Sequence, residues 1–259
     1  ITSTDNKEVK YAASLLQKKY RDRENRFLAE GSKTIEAADR RTIECVFIDK
    51  DRLNDYQSFL EDMDSKCYAV DQRLIRKICD TDTPQGIVAV VKKPEAEIAD
   101  LLNNQKLLIM LDRITDPGNM GTIIRSAWAL QVGGVLVGSG SVDPFSPKVV
   151  RATMGGIFNV AIAVNVDQAQ IASCHEKGFK LVCTDISAIR SFYDINYSDN
   201  IIIIIGNEAA GVSKEIKTVC DEFIKIPVNP MADSLNAGVA CAIIMQEAYR
   251  QRSKDSFLY

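Results

Sequence analysis

The chain has 259 residues, of which 46% are apolar and 26% are charged, as is typical of a soluble globular protein with one large or two ordinary domains. A net charge of −3 argues against a protein that coats nucleic acid without discrimination. No segment approaches the roughly 20 apolar residues of a membrane span, and the opening ITSTDNKEVKYAA lacks the apolar core of a signal peptide, so we expect a cytoplasmic protein.

The first 93 residues alternate between helical and strand patterns. Apolar residues at helical spacing open the chain, and FLAEG then leads into a second helix. Predicted helices lie at 6–20, 32–40, 52–63 and, with Asp71 as N-cap, 71–80. Predicted strands are IECVFID (43–49), KCYAV (66–70) and GIVAVVKK (86–93). We expect a small α/β domain over residues 1–93, followed by a polar, proline-containing linker over 94–106.

The remainder, residues 107–259, is richer in buried strands. The predicted strands are LLIMLD (107–112), GGVLVG (133–138), NVAIAV (159–164), FKLVCT (179–184), IIIIIG (201–206) and EFIKIP (222–227). Continuous apolar runs indicate strands that are covered on both faces, and their alternation with helices predicts a parallel sheet between helical layers. A long helix is expected from about Asp233 to Arg252. In such α/β folds ligands bind beyond the carboxyl ends of the strands.

The five isoleucines at 201–205 deliver polar residues to that edge, because Gly206, Asn207 and Glu208 follow them directly. No G-x-G-x-x-G follows the first strand of the second domain, and no G-x-x-x-x-G-K-[ST] occurs. A nicotinamide-dependent oxidoreductase or a P-loop NTPase requires one of these phosphate-binding loops. The strand end therefore predicts a ligand site of another kind.

Cysteine and histidine usage exclude further classes of chemistry. The seven cysteines form no C-x-x-C pair and are expected to be reduced and mostly buried thiols. The single histidine, His175, has no ligand cluster beside it and is expected at an exposed helix end. We therefore expect no metal site and no histidine base.

A basic cluster occupies residues 7–26, where seven lysines and arginines face only three acidic residues. Two interpretations remain open for it: an RNA-binding surface or an ordinary solvated helix face. The residues of the RNA-binding hypothesis are Lys18, Lys19, Arg21, Arg23 and Arg26.

Two further segments are ambiguous when taken alone. A DPGN turn ending at Asn119 leads into a helix over 121–130 that carries Arg125. Ser234, Leu235 and Asn236 open the last helix, where Asp233 or Ser234 is expected to act as N-cap.

In chain order the three segments read N-x5-R, GNE-x2-G and IP-x6-SLN. This set resembles the signature motifs of the SpoU/TrmH family of RNA ribose 2′-O-methyltransferases, in the SPOUT class. KVVRATMGGIF (148–158) resembles a segment that the family carries between its first two motifs. The opening of the chain, including F-L-x-E-G, resembles its substrate-binding domain. The loop VNPMAD departs from the glycine-containing, glutamate-ending version that is more usual in relatives.

The resemblance implies S-adenosylmethionine as cofactor, a ribose 2′-hydroxyl of RNA as substrate, a homodimer, and a SPOUT domain with a C-terminal trefoil knot. It assigns the cofactor site to Thr184, Gly206, Ile226, Leu235 and Asn236. It assigns the catalytic set to Asn119, Arg125, Glu208, Ser234 and Asn236.

Roles within the catalytic set follow from charge. The resemblance implies that Arg125 acts as a general base. We expect instead that Arg125 binds an RNA phosphate and stabilises the developing alkoxide, because a guanidinium does not lose its proton readily. Glu208 is expected to pair with Arg125 and orient it. The separate N-terminal domain favours large-subunit rRNA as the target. A tRNA methyltransferase, a methyltransferase that modifies an antibiotic site of rRNA, and a non-catalytic RNA-binding protein with the same fold remain alternatives.

Overall fold

A computed structural model of the chain describes residues 1–61, 63–94, 96–229, 231 and 234–253. The chain divides into two compact units. The first comprises Ile1–Pro94 and Asp143–Asn159, and the second comprises Glu95–Val142 and Val160–Tyr259. No helix in the described residues is long and apolar enough to cross a bilayer.

The strands are β1 (Arg26–Glu30), β2 (Ile43–Asp49), β3 (Lys66–Val70), β4 (Ile87–Lys92), β5 (Leu107–Asp112), β6 (Gly134–Gly138), β7 (Ala161–Val166), β8 (Lys180–Thr184), β9 (Arg190–Ser191), β10 (Ile201–Gly206) and β11 (Glu222–Lys225). The α-helices are α1 (Lys7–Ser14), α2 (Lys18–Glu24), α3 (Ser32–Glu36), α4 (Gln57–Glu61), α5 (Gln72–Ile78), α6 (Ile98–Asn104), α7 (Pro117–Ala129), α8 (Pro147–Ala152), α9 (Gln168–Ser173), α10 (Lys214–Lys217) and α11 (Ala237–Arg252).

The first unit contains a four-stranded sheet in the order β1-β4-β2-β3. β1 and β2 run antiparallel to β4, and β3 runs parallel to β2. The sequence predicts only that FLAEG precedes a helix, but the segment forms β1, whose last four residues are buried. With both faces covered, this segment lacks the apolar-polar alternation that marks a strand. The predicted helix over 6–20 is likewise two helices, α1 and α2.

Two other local predictions in this unit need correction. The helix predicted over 52–63 is a 3₁₀ helix, Lys50–Tyr56, followed by the short α4. Asp71 precedes α5 as expected, but its side chain makes no capping hydrogen bond. Its carboxylate instead lies 2.7 Å from the Lys50 ammonium, so the ion pair replaces the cap.

The connection between β6 and β7 belongs with the first unit, although residues 107–259 were predicted to form one continuous domain. Its aromatic residues explain the placement. The Phe27 ring of β1 lies 5.3 Å from the Phe145 ring and 5.7 Å from the Phe158 ring. An ion pair of 3.1 Å between Arg151 and Glu30 adds a polar contact. The order of segments along the chain does not show that Asp143–Asn159 packs against β1.

The second unit contains a seven-stranded parallel sheet in the order β7-β6-β5-β10-β8-β11-β9. β10 lies between β5 and β8, and its isoleucines are at most 3% exposed. Burial on both faces is what the uninterrupted apolar run predicted. The two-residue β9 at the sheet edge was not predicted.

Two predicted boundaries shift in this unit. The predicted linker contains α6, whose Leu101 is buried and packs in the core that also contains Leu108. The long C-terminal helix begins at Ala237, because Asn236 is its N-cap and accepts a hydrogen bond of 3.2 Å from the Val239 amide. We had expected the cap at Asp233 or Ser234. Asp233 lies outside the described residues, as do Pro230 and Ala232 of the VNPMAD loop.

Candidate active site

The carboxyl ends of β5 and β10 form the floor of the candidate site. The two strands pair in register along their whole length, so Gly206 lies beside Asp112. Arg113 follows Asp112 directly, and Asn207 and Glu208 follow Gly206. Parallel pairing therefore brings residues separated by almost a hundred positions to one edge.

The loop after β10 folds back tightly on Gly206. Asn207 and Gly211 exchange backbone hydrogen bonds of 3.1 and 2.9 Å, and the Asn207 side-chain oxygen accepts from two further amides of the turn. A Cβ on Gly206 would lie 2.2 Å from both the Gly211 carbonyl carbon and the Val212 nitrogen. The fold itself therefore requires glycine at this position, in addition to the role in cofactor binding that the sequence suggested.

Helix α7 carries the first motif. The Asp116 carboxylate caps it by accepting a 2.8 Å hydrogen bond from the Asn119 amide, and Pro117 occupies the first turn. Asn119 is only 6% exposed, and its Nδ2 donates to Oε1 of Glu208 over 2.5 Å. This hydrogen bond joins the first and second motifs. The sequence shows both motifs but not the contact between them.

The predicted pair between Glu208 and Arg125 is not formed. The carboxylate of Glu208 is instead bound by Asn119 and, over 3.4 Å, by Asn207. Arg125 is exposed and makes no ion pair or hydrogen bond within the described part of the chain. It lies six residues beyond Asn119, which places it about 9 Å further along the helix and on another face. Asn207, part of the GNE motif but absent from the predicted site, thus takes part in holding Glu208.

The third motif meets the first through close packing of α11 against α7. A Cβ on Gly238 would lie 3.2 Å from the Thr122 side chain. Because Thr122 is three residues before Arg125, both side chains lie on neighbouring turns of the same side of α7. Ser234 and Leu235 are exposed immediately before the Asn236 cap. The start of α11 therefore lies beside the helix that carries Asn119 and Arg125.

Three of the five residues predicted to hold the cofactor, Thr184, Gly206 and Ile226, lie at neighbouring strand ends, whereas Leu235 and Asn236 lie at the start of α11. β10, β8 and β11 are consecutive in the sheet, and they end at Gly206, Thr184 and, one residue before Ile226, Lys225. The Thr184 hydroxyl donates to the Ile204 carbonyl over 2.9 Å. With half-buried Ile226, this edge offers backbone groups and an apolar surface, which suit a nucleoside.

The carboxylate next to this edge is already engaged. Asp185 accepts hydrogen bonds from Ser187 and lies 2.5 Å from the Lys217 ammonium. Burial alone would raise the pKa of Asp185, but the hydrogen bonds from Lys217 and Ser187 outweigh it and hold this pKa at about 2. Asp185 is therefore an ionised anchor of the strand end.

In the part of the chain that the structure describes, no group of three or more histidine, cysteine or acidic side chains could hold a metal ion. His175 lies at the opposite end of β8, near its amino terminus, with Nε2 3.0 Å from the Asp221 carboxylate. Its exposed position agrees with the sequence expectation.

The basic cluster of the first unit is only partly available to a ligand. Lys18, Lys19 and Arg23 are exposed on α2. The Lys19 ammonium and the Arg23 guanidinium lie 4.7 and 4.8 Å from the centre of the Tyr20 ring. Arg26 is half-buried, and its Nε donates to Glu44 over 2.8 Å. The exposed face of α2 is thus the part that fits an anionic partner.

Arg21 was predicted to bind RNA, and the structure places it inside the protein. It is 3% exposed, donates to Asp143 over 2.8 and 2.7 Å, and donates to the Leu15 and Leu16 carbonyls. The sequence of a run of basic residues does not show whether a particular arginine faces solvent or the interior. The helix period turns Arg21 inward while its neighbours face solvent.

Arg21→Ala is therefore expected to destabilise the first unit. Removing one partner of a buried ion pair leaves Asp143 uncompensated, so the free energy of unfolding should fall by about 3–5 kcal/mol. The exposed Arg23, paired with Glu24, is the matched control, and Arg23→Ala should change it by less than about 1 kcal/mol. Denaturant unfolding of both variants measures the difference. Equal stabilities would show that Arg21 is not a structural residue.

Family models match both parts of the chain. The SpoU rRNA Methylase family matches residues 106–246, more than half of the sequence. The chain belongs to this family. The MRM3-like substrate binding domain matches residues 6–89. The motifs at Asn119, Glu208 and Asn236 lie inside the first match.

Individual relatives cover nearly the whole chain. The 23S rRNA (guanosine(2553)-2′-O)-methyltransferase RlmP of Bacillus subtilis is 30% identical over 95% of this SpoU-family chain and 97% of its own. The SpoU methyltransferase AviRb of Streptomyces viridochromogenes, solved in complex with AdoMet, is 28% identical with a TM-score of 0.88 over 96% and 99% of the two chains. An AdoMet-bound rRNA methyltransferase of Sinorhizobium meliloti is 31% identical with a TM-score of 0.84 over 96% and 97%.

Proposed function

We propose that this protein transfers a methyl group from S-adenosylmethionine to a ribose 2′-hydroxyl of large-subunit rRNA, and that it acts as a homodimer with a knotted catalytic domain. The observation that carries the proposal is the 2.5 Å hydrogen bond between Asn119 and Glu208, which unites two family motifs beside the start of α11. Relatives named as 23S rRNA 2′-O-methyltransferases support the reaction and the class of RNA.

S-Adenosylmethionine supplies an electrophilic methyl on a sulfonium, so the protein has to position the hydroxyl and assist the loss of its proton. The strand ends at Thr184, Gly206 and Ile226, with Leu235 and Asn236, would hold the cofactor. The guanidinium of Arg125 has no partner among the residues that the structure describes, which suits a phosphate of the bound RNA and the developing alkoxide.

Glu208 has a different role in this scheme from the one that its sequence position suggested. Its carboxylate is bound by two side-chain amides, so it acts as the anchor of Asn119 and of the loop after β10. Asn119 is in turn held at a defined place at the start of α7. Ser234, exposed before α11, is left to contact the RNA or the cofactor.

The proposed homodimer has support on the surface of α7 and α11. Trp128 is 43% exposed and Val239 is 46% exposed, although both lie on helices that pack together. An exposed tryptophan on a helix face is typical of protein interfaces. The knot is proposed from the family resemblance.

A methyl-transfer assay tests the proposed function directly. Purified protein and radiolabelled S-adenosylmethionine are incubated with rRNA and, separately, tRNA from cells that lack this gene, and 2′-O-methyl sites are mapped. Labelling of a single large-subunit rRNA nucleotide is the expected result. Labelling of tRNA alone would contradict the rRNA target and support a tRNA methyltransferase. Binding of RNA without any methyl transfer would favour the non-catalytic alternative.

Charge reversal on the exposed face of α2 tests the RNA-binding role of the first unit. Lys18→Glu with Lys19→Glu should weaken binding of large-subunit rRNA and lower the slope of log Kd against log salt by at least about 1, because phosphate contacts release counterions. Lys33→Glu and Lys66→Glu, made together at exposed positions elsewhere in this unit, are the control. Equal slopes for the two double variants would place the RNA on another surface.

A further inference from the structure

A second arginine lies at the catalytic edge and is not used by the motifs. Arg113 directly follows β5, beside the end of β10 that carries Asn207 and Glu208. Its φ of +56° lies in the left-handed region, which arginine rarely adopts. The Arg113 carbonyl accepts a 3.0 Å hydrogen bond from Nδ2 of Asn207. The loop that holds Glu208 therefore also holds the Arg113 backbone in this unusual conformation.

The stem of the Arg113 side chain lies close to the turn after β6. A Cβ on Gly140, in the turn after β6, would lie 3.3 Å from its Cγ and 3.9 Å from its Cδ. Its Nε is buried and 3.6 Å from Oδ2 of Asp112, beyond hydrogen-bond distance. That oxygen already accepts a 2.6 Å hydrogen bond from the Ser213 amide. Asp112 therefore balances the charge of Arg113 without occupying its donors.

The outer end of the Arg113 side chain has no partner among the described residues. Arg113 donates no side-chain hydrogen bond among the described residues, and Nε is its only buried nitrogen without a partner. Since 43% of the side-chain surface is exposed, the two terminal nitrogens face solvent. The two parallel donors of a guanidinium match the paired oxygens of a phosphate.

We propose that Arg113 binds a backbone phosphate of the substrate RNA next to the ribose that is methylated. The inference rests on the proposed function and adds a residue to it. A strand that presents its 2′-hydroxyl to the edge near Asn119 and Glu208 carries phosphates on both sides of that ribose. Arg125 would bind one such phosphate and Arg113 another, so that the two guanidinium groups together set the register of the RNA.

The salt dependence of RNA binding tests this inference. Arg113→Gln removes the charge and keeps most of the stem, whereas Arg113→Gly removes the side chain and suits the left-handed backbone. With unmodified large-subunit rRNA transcribed in vitro as probe, both variants should lower the slope of log Kd against log salt by about 0.7. Arg113→Lys, which keeps the charge, should keep the wild-type slope and raise KM for RNA. Binding of S-adenosylmethionine, measured by calorimetry, should not change.

Lys106 provides the matched control, because it is exposed and precedes β5 at the amino end of the same strand. Lys106→Gln removes one positive charge far from the site and should leave the slope unchanged. An unchanged slope in both Arg113→Gln and Arg113→Gly would overturn the inference, and so would an equal change in Lys106→Gln. If the Arg113 variants lower the melting temperature but keep the wild-type slope, Arg113 only stabilises the fold through its charge beside Asp112, and the inference is wrong. Failure of the proposed function is seen separately, as absence of methyl transfer by the wild-type protein.

Discussion

Replacing Arg125 by lysine is expected to lower kcat about a hundredfold or more and to leave the affinity for S-adenosylmethionine unchanged. Arg125 is exposed on α7 and makes no hydrogen bond or ion pair within the described residues. Its loss should therefore affect the transition state and not stability. Lysine keeps the charge but lacks the planar pair of donors that binds a phosphate and an alkoxide together. Single-turnover methyl transfer with calorimetry of cofactor binding measures both quantities.

The pH profile of Arg125→Lys distinguishes the two possible roles of this residue. A lysine has an ordinary pKa of about 10.4 and would act as a base at high pH. If the arginine is a general base, the activity of the variant should recover as the pH rises towards 10. If the arginine acts through its charge and geometry, no recovery is expected. Arg250→Lys, at the exposed end of α11 and paired with Glu247, is the control and should keep wild-type kcat.

The variant Gly206→Ala is expected to lose about 3 kcal/mol or more of its free energy of unfolding. The added methyl would overlap backbone atoms of Gly211 and Val212 at 2.2 Å, and backbone atoms cannot rotate away as a side chain can. Any relief has to displace the loop that carries Glu208. The hydrogen bond between Glu208 and Asn119 would then be lost, and methyl transfer with it. Denaturant unfolding and the transfer assay measure the two effects.

Gly178→Ala is the matched control for Gly206→Ala. Gly178 has a φ of +75° and open space around its Cβ position, so only the backbone penalty of about 1 kcal/mol is expected. If Gly206→Ala keeps wild-type stability and loses only cofactor affinity, the glycine serves the cofactor alone. That outcome would contradict the steric argument and support the original interpretation from the sequence.

β10 and β1 show when a hydrophobic pattern is enough to predict a strand and when it is not. Five isoleucines leave no other interpretation than a buried strand, and the register with β5 then carries Gly206 to the ligand edge. FLAE is equally buried, but four residues without alternation do not distinguish a strand from the start of a helix. The missing information is the pairing of β1 with β4, which is more than fifty residues away.

The sequence by itself determined the family, through the resemblance of three short motifs, and with the family came the reaction class and the residue types of the site. Such motifs are local, so they can be recognised without any knowledge of tertiary contacts. The tertiary structure alone decided which of those residues meet. It bound Glu208 to Asn119 and not to Arg125, buried Arg21, and placed Arg113 beside the loop that carries Asn207 and Glu208. Each of these results depends on contacts between distant segments, and a side chain's direction relative to another strand or helix is not encoded in its own neighbourhood.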